Sequence, residues 1–279
     1  MLGKVGFPPP LVADVPHRLQ IIYHQAGLLV LDKPAGIVSC RNAWEPTSPN
    51  IESALRLQLD GAKPELERLQ IRHGRVLFPL EPYLSGCLPV ISDPGKVDLW
   101  TNLWGSNLFG LTFTLVVKKN DLADDLVCQL PIAYHSKTRL SLISHKTGKK
   151  SETRFRRLAR YGSSEVWEAC ATYLRRDQIR LHASEVGLSL YGEDTYLAAV
   201  EQPLPGPSLL SLQTRRRSRP EKNPQPLYPF PHLHLREISI PQTSDQPAQN
   251  CQAPLPGPLQ QVIDRLKANA ASLPSRTHP

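Results

Sequence analysis

Cysteine is scarce and scattered: Cys40, Cys87, Cys128, Cys170 and Cys251 are the five in 279 residues, with no C-x-x-C pair. An odd count at such spacings excludes a dense disulfide framework and a cysteine zinc site, and favours buried thiols in a reducing compartment. Long apolar runs are missing as well. The strongest, Leu111–Val117, is short and carries Thr112 and Thr114, far from the roughly 18 apolar residues of a membrane span. The opening MLGKVGFPPP has no apolar core of a secretion signal. A soluble, cytoplasmic protein with no membrane association is therefore expected. Glycine, at 16, is not raised, which excludes a collagen-like repeat.

Proline, by contrast, is abundant: 28 residues, roughly twice ordinary usage. Hydrophobic residues make up 40% and charged residues 21%, so the chain can build a sizeable core as one large domain or two small ones. Net charge is +8, which suits an anionic partner. The prolines cluster. Pro8, Pro9, Pro10 and Pro16 mark residues 1–18 as a leader without regular structure. Eight more lie in 201–231 around Arg215, Arg216, Arg217 and Arg219, a basic insertion of extended character. Residues 268–279 read as a flexible tail, leaving 19–267 as the folded domain.

Periodicity predicts the elements between. Ile21-Ile22-Tyr23 and Leu28–Leu31 flank a polar turn at His24–Gly27, a hairpin signal. Helical spacing appears in Ile51–Leu59, Val97–Leu108 and Pro258–Lys267. Extended segments are predicted at Leu69–Leu80, Gly86–Ile91, Leu111–Lys118 and His232–Ile240. Between them, Ser151–Arg160, Glu165–Leu174 and Ile179–Ala183 continue a mixed pattern. The fold class is α+β, without a regular βαβ alternation.

Several general motifs fail on inspection. Gly148-Lys149-Lys150-Ser151 lacks the upstream glycine of a phosphate loop. There is no G-x-S-x-G elbow. Lys146-Thr147-Gly148 has no S-x-x-K companion. His232 and His234 lack a cysteine or acidic companion at metal spacing and read as surface histidines; no metal site is expected. Basic residues are dense from Lys149 to Arg180. Charge alone leaves open whether they form a solvated face or a phosphate-contacting surface.

Four segments in order carry a resemblance. Residues 21–36, IIYHQAGLLVLDKPAG, resemble the opening strand pair and NKPAG-type turn of the RluA-type RNA pseudouridine synthases. Residues 175–182, RRDQIRLH, resemble that family's RTHQIRVH. Residues 187–196, GLSLYGEDTY, resemble its GHPLVGDPLY continuation, and Ala253-Pro254-Leu255-Pro256 before a helix resembles its ending. The resemblance covers about residues 19–267. It implies a pseudouridine synthase-like single domain on a mixed, largely antiparallel sheet. It also implies a cofactor-free isomerisation of uridine to pseudouridine in ribosomal or transfer RNA, with RNA as partner and a monomeric protein.

The family's HRLDxxTSG block aligns on Phe78-Pro79-Leu80-Glu81-Pro82-Tyr83-Leu84-Ser85-Gly86, so the catalytic Asp position is Glu81. The resemblance makes Glu81 the catalytic carboxylate, Arg180 its cationic partner and Phe155 the stacking ring. It makes Arg154, Arg175, Arg176 and Gln178, with Arg215, Arg216 and Arg217, the RNA-binding set. The substitutions in the motif leave a second reading, a non-catalytic RNA-binding relative of the family.

Overall fold

Alternation between buried and half-exposed side chains along His17–Gln25 makes this stretch a strand with one face on the core. The computed structural model describes residues 3–41, 46–197 and 227–271. This strand, β2, follows β1 (Lys4–Phe7) and turns through Ala26 and Gly27, both at positive φ, into β3 (Leu28–Lys33). Two such residues suit the tight turn that matches strand twist. The hairpin predicted from the sequence is present. The leader, however, is not irregular: Lys4–Phe7 pairs with His17–Gln20 and extends the sheet. Its prolines lie in the connection, where no ladder bond is needed.

After helix α1 (Ile51–Asp60) and the short helix α2 (Pro64–Arg68) come β4 (Arg75–Val76) and β5 (Ser85–Ile91). The extended run expected over 69–80 is thus reduced to two residues. Helix α3 (Val97–Gly105) and strand β6 (Gly110–Lys118) stand close to their predicted places. Then follow β7 (Asp125–Cys128), the hairpin β8 (Ile132–His135) and β9 (Leu140–Ile143), β10 (Thr153–Tyr161) and β11 (Ser164–Ala171). Helix α4 (Gln178–Glu185) precedes β12 (Leu233–Ile240), β13 (Gln249–Gln252) and α5 (Gly257–Ala271). The last helix runs past residue 267, where the tail was expected to begin.

Eleven of the described strands form one sheet in the order β1-β2-β3-β5-β12-β6-β11-β10-β7, with β13 on β12 and β4 on β5. Among the described strands every pairing is antiparallel except β5 with β12, which run parallel through Ser85 and Gly86. The sheet is mixed and largely antiparallel, as expected. All seven residues of β5 are buried, as befits a central strand covered on both faces. Gly86, at φ +123°, makes the pairing with β12 possible: a Cβ there would overlap the Leu235 carbonyl. This strand begins where the Glu81 turn ends.

Ile179–Ala183, part of the mixed pattern in the sequence, lies in helix α4, in which six consecutive residues from Gln178 to Ala183 are buried. A helix buried nearly all round shows little periodicity to read. His234, expected at the surface, is not there. It is fully buried, sharing a hydrogen bond with Ser85 Oγ at 2.9 Å, and burial lowers its pKa to about 4. His232 is half-buried beside Tyr228.

Candidate active site

Glu81 sits on a turn fixed from behind. Phe78, three residues earlier, stacks on Trp104 with ring centroids 4.1 Å apart, and Trp104 stacks in turn on Tyr173 at 4.5 Å. Leu80 is buried, and its carbonyl and N–H both bond Ser39 Oγ. The buried Lys33 ammonium donates to the carbonyls of Leu84 (2.7 Å), Pro34 (3.1 Å), Glu81 (3.2 Å) and Pro82 (3.4 Å). Gly36 N–H donates to Pro82 O at 2.7 Å. The Asp32–Gly36 segment is therefore the clamp on the turn, which explains why two distant sequence segments act together.

The carboxyl of Glu81 accepts the Asp177 main-chain N–H on Oε1 at 3.0 Å. Burial, reinforced by the nearby Asp177 charge, pushes its pKa up to about 7. It opens into a cavity of about 320 Å³ lined by Ser39, Cys40, Arg41, Arg139, Arg175 and Arg176 among others. Among the described residues Glu81 is the single acid of that lining. A larger groove of about 890 Å³, around Gly27 and Arg72, does not contain Glu81.

Asp177 is the hub beneath this carboxyl. Buried at the entry of α4, it stands in the left-handed region at φ 56° and makes no capping bond with its side chain. Its Oδ1 accepts the Tyr83 hydroxyl at 2.8 Å and its Oδ2 the Tyr196 hydroxyl at 3.0 Å. Arg180 reaches Asp177 Oδ1 at 3.5 Å, but its main partner is Glu193, which takes both Nε and Nη2. The guanidinium carbon lies 4.3 Å from the Tyr83 ring centroid and 5.1 Å from that of Tyr196.

The expected partnership of Arg180 with Glu81 is therefore not the one observed. Arg180 is paired with Glu193, Asp177 and Asp194, and Glu81 has no ion pair among the described residues. Phe155 is 1% exposed on β10, in the main core between the Leu126 and Ala169 pairings. A ring so enclosed cannot stack on an incoming base. Gln178 is a buried clasp: its side chain accepts from Arg175 N–H and donates to Glu152 O and Thr153 Oγ1. It presents no group to RNA.

Arg154 is exposed, bonded to Glu152, and outside the cavity lining. Arg175 and Arg176 do line it. Arg175 is braced on Lys150 O and Ser151 Oγ, and Arg176 stacks over Tyr134 at 4.8 Å. Arg215, Arg216 and Arg217 lie outside the described residues. Sequence reasoning missed Lys33, Tyr83, Arg139, Asp177, Glu193 and Tyr196. Lys33, Tyr83, Asp177, Glu193 and Tyr196 fall inside the segments that carried the resemblance, which was signal enough to weigh them. Arg139 had none.

The architecture defines a fold class. The fold is that of an RNA pseudouridylate synthase domain. Human RNA pseudouridylate synthase domain containing 4 superposes with a TM-score of 0.63 over 88% of this chain and 92% of its own, at 15% identity. Human RNA pseudouridylate synthase domain containing 1 does so with 0.56 over 90% and 95%, at 17% identity. Sequence narrows the class. The chain is 27% identical over 179 residues to ribosomal large subunit pseudouridine synthase D of Nitrosomonas europaea, covering 64% of this chain and 49% of that protein. It is 23% identical to the synthase D of Buchnera aphidicola, over 92% of this chain and 77% of the relative. With the uncharacterized RNA pseudouridine synthase YlyB of Bacillus subtilis it shares 24% over 95% and 79%. No family model matches the chain. In sequence it is similar to RNA pseudouridine synthases, at 23–27% identity. Among the described residues no helix is long and apolar enough to cross a membrane.

Proposed function

We propose that the protein isomerises uridine to pseudouridine in RNA, with the Glu81 carboxyl as the reacting group. One observation carries the reading: among the described residues, a single carboxyl inside a cavity whose other charged lining groups are Arg41, Arg139, Arg175 and Arg176. Guanidinium groups around the opening suit the phosphates on either side of a flipped nucleotide. The carboxylate then meets the ribose. As nucleophile or base it assists cleavage of the N1–C1′ bond. The freed uracil turns, C5 bonds to C1′, and the C5 proton is lost while N1 gains one. The sequence is redox-neutral.

The assignment of phosphate contacts rests on Arg175 and Arg176, joined by Arg41 and Arg139. Ribosomal RNA is the first substrate to test, ahead of transfer RNA, a choice supported by relatives named ribosomal large subunit pseudouridine synthase D. The domain that carries Glu81 includes β1 and all of α5, and so reaches beyond residues 19–267 at both ends, while most of the 201–231 segment lies outside the described residues. The free state of all five cysteines supports a cytoplasmic setting, and the protein is proposed to act as a monomer. The test is a pseudouridine map of total RNA from cells with the wild-type protein, Glu81→Ala, or no gene. A site present only with wild type is expected. Identical maps in all three would sink the enzyme and leave a non-catalytic RNA binder.

A further inference from the structure

Asp is a good helix cap because its carboxylate accepts the first free N–H groups of the helix. Asp177 stands at the cap of α4 and does not do this. Its two oxygens are turned instead toward Tyr83 and Tyr196, with Arg180 alongside, while its main-chain N–H points at Glu81. The backbone holds a left-handed conformation to allow both, a local cost typical of functional positions.

Glu193 completes the arrangement. It takes the fork of Arg180 and also accepts the N–H groups of Thr195 and Tyr196, which sets the Tyr196 ring over the guanidinium. No side-chain bond of Asp177 caps α4; only its main-chain carbonyl serves the helix, accepting the Leu181 N–H at 2.9 Å. The side-chain bonds of the cluster converge on the position of one carboxylate directly beneath Glu81.

We propose that Asp177 is the positioning residue of this site: its N–H fixes which Glu81 oxygen is left for the ribose, and its carboxylate holds Arg180 away from Glu81. The inference rests on Glu81 being the reacting carboxyl. Among the described residues Glu81 then has no salt-bridged guanidinium, and its ionisation is set by burial first and by the Asp177 charge next. The other groups whose charge it feels are Arg176 at the same helix entry, Lys33 from β3, Cys40 from the loop after β3, and Tyr83 on its own turn. Arg41, Arg139 and Arg175 stand farther round the cavity. Asp177 is the one acid among all of these.

Asp177→Asn is the decisive variant. It keeps the main-chain N–H and the side-chain shape, and Asn tolerates the left-handed region well. Titration of Glu81 is followed by carbon NMR in protein labelled at the glutamate carboxyl, with the signal assigned by its loss in Glu81→Gln. The midpoint is expected to fall by roughly one pH unit, and the ratio of turnover at pH 6 to that at pH 8 to rise about fivefold. Tyr83→Phe, which strips one donor from Asp177, is expected to move the midpoint the other way and gives the same test should the Asn variant fold poorly. Midpoints unchanged in the folded variants would overturn the inference. A shifted midpoint in protein that forms no pseudouridine would instead overturn the enzyme reading alone.

Discussion

Lys33 Nζ donates to the Leu84 carbonyl at 2.7 Å, joining residues 51 positions apart. The same ammonium serves the carbonyls of Glu81 and Pro82, so one buried cation sets the backbone of the turn that carries the carboxyl. Burial pushes its pKa down to about 7, a cost the fold accepts in return for a rigid turn. Lys33→Met is expected to leave those carbonyls unpaired and to destabilise the protein by about 1–3 kcal/mol. Denaturant unfolding measures the loss, and turnover is expected to fall further than stability alone explains.

A carboxyl pushed up to about 7 makes activity depend on pH near neutrality. The reacting form is the carboxylate, so turnover is expected to rise with pH through about 7 and to fall about tenfold per unit below it. Rates on one RNA substrate between pH 5.5 and 8.5, at fixed ionic strength, check this. A flat profile across that range would contradict it.

The same shift has a stability consequence of opposite sense. Glu81 binds its proton more tightly folded than unfolded, so its contribution is full below about pH 4.5 and is lost as pH rises through 7. Glu81→Gln removes that loss. The variant is expected to match wild type in thermal unfolding at pH 4.5 and to exceed it at pH 8.5. Its turnover is expected to drop by at least about 10²-fold, as for loss of a positioned reacting group.

What the sequence disclosed follows from what periodicity and motif order report. Strand β2 alternates cleanly and β6 is rich in β-branched residues, so the sheet was legible, as were α1 and α3. Helix α4 was not, because burial on nearly every side erases its amphipathic stripe. Strand β1 was hidden by prolines that lie just outside it. At the site, Glu81 was found through the order of the motifs, yet its neighbours were not. The pairing of Arg180 depends on Glu193, thirteen positions later, and no local pattern tells an arginine which of several acids it will meet. Gln178 and Phe155 show the same limit: their residue types suit RNA contact, but the packing of β10 and α4 encloses both.

Arg180 offers a direct check on that pairing. Its planar fork meets both oxygens of Glu193, a geometry that lysine cannot reproduce. Arg180→Lys is expected to cost about 3 kcal/mol, near the lower end for disrupting a buried pair. Arg180→Met with Glu193→Met, which removes both charges, is expected to recover more than half of the loss. Thermal unfolding of the single and double variants decides this, and additive losses would show that the two residues do not act as a pair.

Phe155 distinguishes a core role from a binding role. Its ring is enclosed on β10 beside Leu126 and Ala169, so Phe155→Ala is expected to leave a cavity and cost about 3–5 kcal/mol. Phe155→Leu keeps most of the volume and is expected to cost about 1 kcal/mol. If the ring only packs, the folded Leu variant turns over RNA within about twofold of wild type, since loss of base stacking alone would cost about 1–3 kcal/mol in substrate binding. Turnover and RNA affinity of Phe155→Leu, measured well below its unfolding temperature, separate the two. A loss of affinity with stability intact would return the ring to the substrate.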